Sequence, residues 1–552
     1  MKIALAQLNY TINDIVGNTS KIEDAIQRAK LMGAELVVFS ELSVCGYPPH
    51  DFLESEEFVQ NCYRAVEQIA KGCVGIHAIV GAPVLNPNPQ GKLLYNAALL
   101  LGQGKVLSQH HKALLPTYDI FDEYRYFEPA STFEVAMVNG TRVAITVCED
   151  LWDEQPVSRG FARGKLYKLS PMEMLAKQNP ELVVNISASP FSWDVEQRRA
   201  KVFARHAKQH ALPVISVNQV GGNTDLIFDG ASMAFAPNGS ISMRLKRFEE
   251  EIVLVDTDTL AQQKAVEPAA ADDKIALIHD ALVMGVRDYF QKMGFKKATL
   301  GLSGGLDSAV TLAIAASALG PENLRVLLMP SQYSSQHSID DAVGLAQNLN
   351  VKYDIVGIQP AFDALKSSLS PIFDGLKEDL TEENMQARVR GTLLMAISNK
   401  FGHLLLNTSN KSEAAVGYGT LYGDMNGALS VLGDVYKTDV FKLAWYINRN
   451  TEIIPVNTIL KPPSAELRPD QKDSDSLPEY DLLDEVLFKY IEEQKSVSEI
   501  ISEGFDPATV KRIARLVNLN EYKRFQAPPF IRVSVKAFGF GRRMPLVAKY
   551  NS

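Results

Sequence analysis

The chain is predicted to fold as two α/β domains, a layered sheet system followed by a doubly wound parallel sheet, on three observations. Its 552 residues exceed what one hydrophobic core holds. Over residues 2–256, short Val- and Ile-rich runs alternate with helical stretches, a density that implies a large sheet system with helices packed outside it. From about Lys274 the alternation changes style, and buried apolar runs recur at the spacing of strand, crossover helix, strand.

In the first domain the predicted strands are KIALAQL, ELVVFS, HAIVGAPV, NAALLL, RVAITV, ELVVNIS, LPVISVN, SMAFAP and EEIVLVD. Helical periodicity marks residues 22–32 and 195–210. The segment LAQQKAVEPAAADD has no strong apolar face, so residues 259–273 read as a linker between domains 1–258 and 274–552. Beyond it ATLGLS, LRVLLMP, KYDIVGI and HLLLNTS read as buried parallel strands, with SAVTLAIAASAL and SIDDAVGLAQNL among the helices between them. Two polar, Pro-containing segments, 369–383 and 466–481, read as solvated loops, with cover over a site as the alternative.

Composition excludes several classes. A net charge of −9 argues against nucleic acid as a partner. No apolar run approaches the ~20 residues that span a bilayer, and the N-terminus lacks a signal-peptide pattern, so no membrane association and a cytoplasmic location are expected. Cys45, Cys62, Cys73 and Cys148 are too scattered for a disulfide framework and show no metal-binding spacing, so they are expected as reduced thiols.

The most informative segment is TLGLSGGLDSAVTLAIAASA, in which an apolar run stops at Ser303-Gly304-Gly305 and Asp307-Ser308 then opens an Ala-rich helix. Such a turn leaves backbone N–H groups unpaired at the positive end of a helix, a site for phosphate or pyrophosphate. No Gly-Lys-Ser/Thr follows, so it is not a Walker A loop, and Asp307 offers a carboxylate for Mg²⁺ instead. The same residues Gly301-Leu302-Ser303-Gly304-Gly305 also satisfy G-x-S-x-G, a hydrolase nucleophile elbow. That alternative needs a late histidine, and only His337 and His403 lie beyond Ser303.

In the first domain Glu41, Lys112 and Cys148 each lie just past a short β run. A carboxylate to carry a proton, an ammonium to stabilise an oxyanion and a thiolate to attack a carbonyl form a coherent amide-cleaving set. The words around them, FSELSVCGYPPHD, HKALLPTY and VCEDLW, resemble the three motifs of the nitrilase superfamily, in family order over residues 1–258. The resemblance implies a nitrilase-like αββα sandwich, with Glu41 as general base, Lys112 as oxyanion support, Cys148 as nucleophile and Glu123 as a second supporting glutamate. Cys45 lies inside the first motif without a strand-end setting and reads as packing. Tyr118 and Ser189 match positions that hold the substrate. Val195 stands where the family commonly has a basic residue, which leaves Arg198 and Arg199 as the candidates for a substrate carboxylate. Residues 153–170 read as a local insertion, an interface or a lid.

The segment GLSGGLDS resembles the pyrophosphate loop of the N-type ATP pyrophosphatases, a Rossmann-like fold of the adenine nucleotide α-hydrolase type. Together with EENMQARVRG, LLNTSNKSE, GYGTLYGD, PPSAELRPDQ and NEYKRFQAPP, it resembles the glutamine-dependent NAD synthetases over nearly the whole chain. That resemblance implies a ligase that hydrolyses glutamine, passes ammonia internally and amidates deamido-NAD to NAD through an acyl-adenylate, with ATP as co-substrate and Mg²⁺ as cofactor, in a homo-oligomer. It places Gly301, Leu302, Ser303, Gly304, Gly305, Leu306, Asp307, Ser308 and Thr408 against ATP. It places Asp307 and Glu413 on Mg²⁺ and Asn384, Glu413 and Lys523 on deamido-NAD, with Lys437 as a further phosphate contact. Two other readings are an amidase whose rear domain only senses nucleotide and a nucleotide-binding regulator with a decayed amidase half.

Overall fold

The computed structural model describes residues 1–153, 156–157, 164–266, 274–469 and 471–550. Its contacts divide the chain into two units, Met1–Ala271 and Asp272–Ser552. Among the described residues no helix is long and apolar enough to cross a membrane.

The first unit is built on two six-stranded sheets. One runs Glu251–Asp256, Lys2–Gln7, Leu36–Val38, His77–Leu85, Leu94–Gly102, Lys105–His111, and the other Ile241–Arg244, Met233–Phe235, Val214–Asn218, Leu182–Ser187, Thr141–Val147, Ala136–Val138. Alternation along one strand shows how they stack. Ile3 and Leu5 pack with Val143, Ile145 and Val147 of the other sheet, whereas Ala4 and Ala6 pack with Ile22, Ala25, Val59 and Val66 of the helices Ile15–Leu31 and Glu56–Gly72. The second sheet carries Pro171–Ala176 and Val195–His210 on its other face, through Met172, Leu175, Ala200 and Phe203. Helix, sheet, sheet, helix is the order of layers, as expected, and strands covered on both faces read as continuous apolar runs.

Lys105–His111 carries no such run. It is fixed instead by a hairpin, because Gln103 and Gly104 both take left-handed backbone (φ 54° and 76°) and return the chain along Leu94–Gly102. This strand delivers Lys112.

The second unit has a five-stranded sheet in the order Lys352–Ile355, Leu324–Leu328, Ala298–Gly301, Leu404–Asn407, Leu429–Ser430, with all neighbours parallel. Strand order reverses between Ala298–Gly301 and Leu404–Asn407, and ligands of such sheets bind at the carboxyl ends beside that reversal. Ser303-Gly304-Gly305 follows one of these two strands and Thr408 the other.

Several expectations need correction. Residues 369–383 are largely helical, the end of Gln359–Phe373 and the start of Leu380–Phe401, and Pro371 lies inside the first of these helices. The stretch 466–481, expected as solvated surface, brings Glu466 and Asp473 into the lining of a cavity. Of the linker at 259–273, Thr257–Gln262 forms a 3-10 helix with Leu260 buried and Val266 bonds Ile241, while 267–273 lie outside the described residues. The insertion at 153–170 also falls partly outside them.

Candidate active sites

Glu41, Lys112 and Cys148 converge within the first unit. Lys112 is fully buried and its Nζ lies 2.7 Å from Glu41 Oε1 and 2.8 Å from Glu123 Oε1. Burial alone lowers the Lys112 ammonium pKa, but Glu123 and Glu41 outweigh it and hold the group charged. Glu41 is held on both oxygens: Asn96 Nδ2 donates to Oε1 at 2.7 Å and the Ala188 N–H to Oε2 at 3.0 Å. Glu123 also accepts from Tyr47 at 2.8 Å, and burial, partly opposed by Lys112, lifts its carboxyl to about 7.

Cys148 directly follows the strand Thr141–Val147, at left-handed φ (42°), and opens the 3-10 turn Cys148–Leu151. Burial and then Glu41 push its thiol up while Lys112 pulls it down, and the net direction is up. A thiol held protonated needs a base before it can attack, and Glu41 is the buried carboxylate whose charge acts on it most strongly. Asp150 fixes the turn, since Oδ1 accepts the N–H of Ala113 and Leu114 (2.9 and 3.0 Å) and Oδ2 that of Val147 (3.0 Å). One carboxylate thereby ties the Cys148 turn to the segment just past Lys112.

Tyr118 donates to Glu149 at 2.8 Å, and Tyr167, within the insertion, donates to the same oxygen at 2.9 Å. Ser189 follows the strand Leu182–Ser187, one residue past the Ala188 N–H that holds Glu41, and its own N–H bonds Asn218 at 2.8 Å. Arg199 is buried and grips Asp229 with both terminal nitrogens, at 2.8 and 2.5 Å, so its charge is already met. Arg198 is half-exposed beside Asp194 and Ser192.

Glu149 supplies a pH prediction. Burial raises its carboxyl from 4.5 to about 7, so the folded state keeps a proton that the unfolded chain sheds. Its stabilising effect is intact below pH 4.5 and is lost as pH rises through 7, a change on the order of 3 kcal/mol. Glu149→Gln is expected to flatten the fall in stability between those limits. Urea unfolding in a Trp445→Phe background, followed by the fluorescence of Trp152 and Trp193, reads the first unit; an unchanged slope counts against the assignment.

In the second unit two adjoining cavities meet at the glycine turn. One, of about 250 Å³, is lined by Gly301, Leu302, Ser303, Arg390, Asn407 and Thr408 among others. The other is lined by Ser303, Gly304, Gly305, Leu306, Asp307, Ser308, Thr408 and Glu413. All nine residues expected against ATP therefore border one or both. Gly305 is the N-cap of Leu306–Leu319 without a side-chain cap bond, so the helix start keeps donors for an anion. Gly304 has φ 81° and would set a Cβ 2.1 Å from the Ser338 carbonyl oxygen, which restricts the position to glycine. Ser303 Oγ accepts from the Gly305 N–H at 3.1 Å and lies 3.1 Å from Ser308 Oγ; it braces the turn, with no histidine among its described partners.

Asp307 and Glu413 share the second cavity with Lys437, which is buried, pairs with Asp307 Oδ2 and lies 3.9 Å from Glu413. Burial, and next the charge of Asp307, hold the Glu413 carboxyl well above the usual range. Two crowded hard-oxygen donors beside an anion-binding turn fit Mg²⁺, which takes one or two carboxylates and completes its shell with phosphate and water. Among the described residues no group of three or more His, Cys, Asp or Glu forms a metal cage, as such a site requires none. Asn384 and Lys523 border neither cavity; both grip the 417–420 segment, Asn384 accepting from Thr420 Oγ1 at 2.7 Å and Lys523 donating to the Gly417 and Gly419 carbonyls at 2.7 Å. Sequence reasoning missed Asn96, Glu149, Asp150, Asn410 and Asp473, whose roles exist only once distant segments meet.

A family model described as carbon-nitrogen hydrolase matches residues 2–265, and one described as NAD synthase matches residues 278–527. The glutamine-dependent NAD(+) synthetase of Synechocystis sp. is 46% identical over 557 residues, covering 100% of this chain and 99% of the relative. That of Acinetobacter baylyi is 43% identical over 549 residues, covering 99% and 98%. Among solved structures, the glutamine-dependent NAD+ synthetase from Acinetobacter baumannii in complex with adenosine diphosphate superposes with a TM-score of 0.77 at 39% identity, covering 99% of this chain and 98% of that one.

Proposed function

Because the chain belongs to the glutamine-dependent NAD(+) synthetase family, we propose that its first unit hydrolyses glutamine and its second spends the ammonia on the nicotinate carboxylate of deamido-NAD. The observation that carries this reading is the pairing, on one chain, of a buried Glu41–Lys112–Cys148 cluster with an anion-binding turn bordered by Asp307 and Glu413.

In the first unit Glu41 takes the thiol proton as Cys148 Sγ attacks the glutamine amide carbon, and Lys112, fixed by two carboxylates, faces the developing oxyanion. The protonated Glu41 then delivers its proton to the leaving ammonia, and water releases glutamate from the thioester. Tyr118 and Ser189 are the proposed glutamine contacts.

A carboxylate is inert to ammonia until one of its oxygens becomes a good leaving group. ATP, the co-substrate of this family, supplies AMP as that group. The amides of the glycine turn receive the pyrophosphate, Thr408 and Ser303 border the nucleotide, and Asn384, Glu413 and Lys523 are the residues proposed to act on deamido-NAD. Mg²⁺ bound by Asp307 and Glu413 would neutralise phosphate charge. A cytoplasmic homo-oligomer is part of the same proposal, and multi-angle light scattering of the purified protein tests its oligomeric part.

The deciding experiment supplies purified protein with glutamine, MgATP and deamido-NAD. Glutamate, AMP, pyrophosphate and NAD are expected in equal amounts. Glutamate without AMP would leave an amidase whose rear domain only senses nucleotide.

A further inference from the structure

We propose that Asn410 is the positioning residue that holds the two carboxylates of the second site in register for a divalent cation; this rests on the reading of Asp307 and Glu413 as that cation's ligands. Asn410 is fully buried and both ends of its side chain are used. Its Oδ1 accepts the Glu413 N–H at 2.9 Å and caps the short helix Lys411–Val416. Its Nδ2 donates to Asp307 Oδ1 at 3.0 Å, across 103 residues of sequence. One side chain therefore spans from the helix that bears Glu413 to the helix start that bears Asp307.

A helix cap needs only the oxygen, and serine provides one equally well. The amide NH₂ is what asparagine adds, and here it goes to Asp307. The bond also divides the labour of the two Asp307 oxygens: Oδ1 is tied to the amide, and Oδ2 is turned toward the Lys437 ammonium, where positive charge is accepted.

Two half-buried carboxylates in one cavity repel, and Lys437 offsets that repulsion while it sits on Asp307 Oδ2. Asp307 and Glu413 would hold a divalent cation in place of the Lys437 charge, and the neutral Asn410 amide would remain the tether that fixes the Asp307 carboxylate relative to Glu413. A neutral donor suits this task because it does not oppose the incoming charge.

The test is Asn410→Ser in the full chain, which keeps the cap and removes the NH₂. Mn²⁺ binding in the presence of a non-hydrolysable ATP analogue, read by electron paramagnetic resonance, is expected to weaken about tenfold. The Mg²⁺ requirement of ammonia-driven synthesis should rise in parallel, while glutaminase kcat/KM and the melting temperature stay near wild type. Wild-type Mn²⁺ affinity in the variant would reduce Asn410 to a cap and overturn the proposal. Asn410→Thr, also a competent cap, carries the same expectation should the serine variant fold poorly. If the wild-type protein itself binds no Mn²⁺ with the analogue, the ligand assignment fails, and the tether fails with it.

Discussion

Cys148→Ala is expected to abolish glutamine-driven NAD synthesis, by at least about 10³-fold, and to leave ammonia-driven synthesis close to wild type. Cys148 is the proposed nucleophile, and among the described residues its charged neighbours Glu41, Lys112, Glu149 and Glu123 bear no second thiol to replace it. Alanine is also a mild change structurally. It keeps the backbone of the Cys148–Leu151 turn, whose geometry is set by Asp150 through Ala113, Leu114 and Val147 rather than by the sulfur. The assay is NAD formation with glutamine or with ammonium chloride at fixed MgATP and deamido-NAD. Loss of both activities would count against two separate sites.

Asp307→Ala is expected to produce the mirror image. Adenylylation, followed as pyrophosphate release, should fall by at least about 10²-fold while glutamate release from glutamine survives. The substitution removes a carboxylate from beside the glycine turn and frees Lys437 from its nearest partner. Lys437 keeps Glu413 at 3.9 Å, so the buried ammonium is not left without a counter-charge and the unit is expected to fold. Equal loss of both half-reactions would point to a shared site or to misfolding.

Strands buried on both faces are legible from pattern, because two apolar faces leave an uninterrupted Val- and Ile-rich run; Thr141–Val147 and Leu182–Ser187 are read that way. Lys105–His111, read as a short β run ahead of Lys112, carries no such apolar run, and its pairing with Leu94–Gly102 through a hairpin turn is what a polar sequence conceals. The helix around Pro371 is hidden for a related reason, local propensity being overridden by the turns on either side of it. Lys112 and Cys148 are legible because each sits directly past a strand, and the motif words around Glu41, Lys112 and Cys148 set them in order. Asp150 and Asn410 are not, because an Asp after Cys-Glu or an Asn before Lys-Ser-Glu reads as an ordinary turn residue until its distant partners are in place. Arg199 shows the converse: a buried guanidinium near the site in sequence is consumed by Asp229 and is no longer available to a ligand.

The left-handed backbone at Cys148 sets a limit on how robust the first unit can become. Glycine is the residue such a φ favours, and any other side chain there is held at a cost of about 1 kcal/mol or more. Ala211, the left-handed C-cap of Val195–His210, can be relieved by glycine in an effort to harden the protein against heat. Position 148 cannot, because the Cβ that burdens the backbone carries the sulfur proposed to attack the substrate. Durability and turnover therefore compete at a single α-carbon, and a version of this chain tuned only for endurance would be expected to lose its sulfur first.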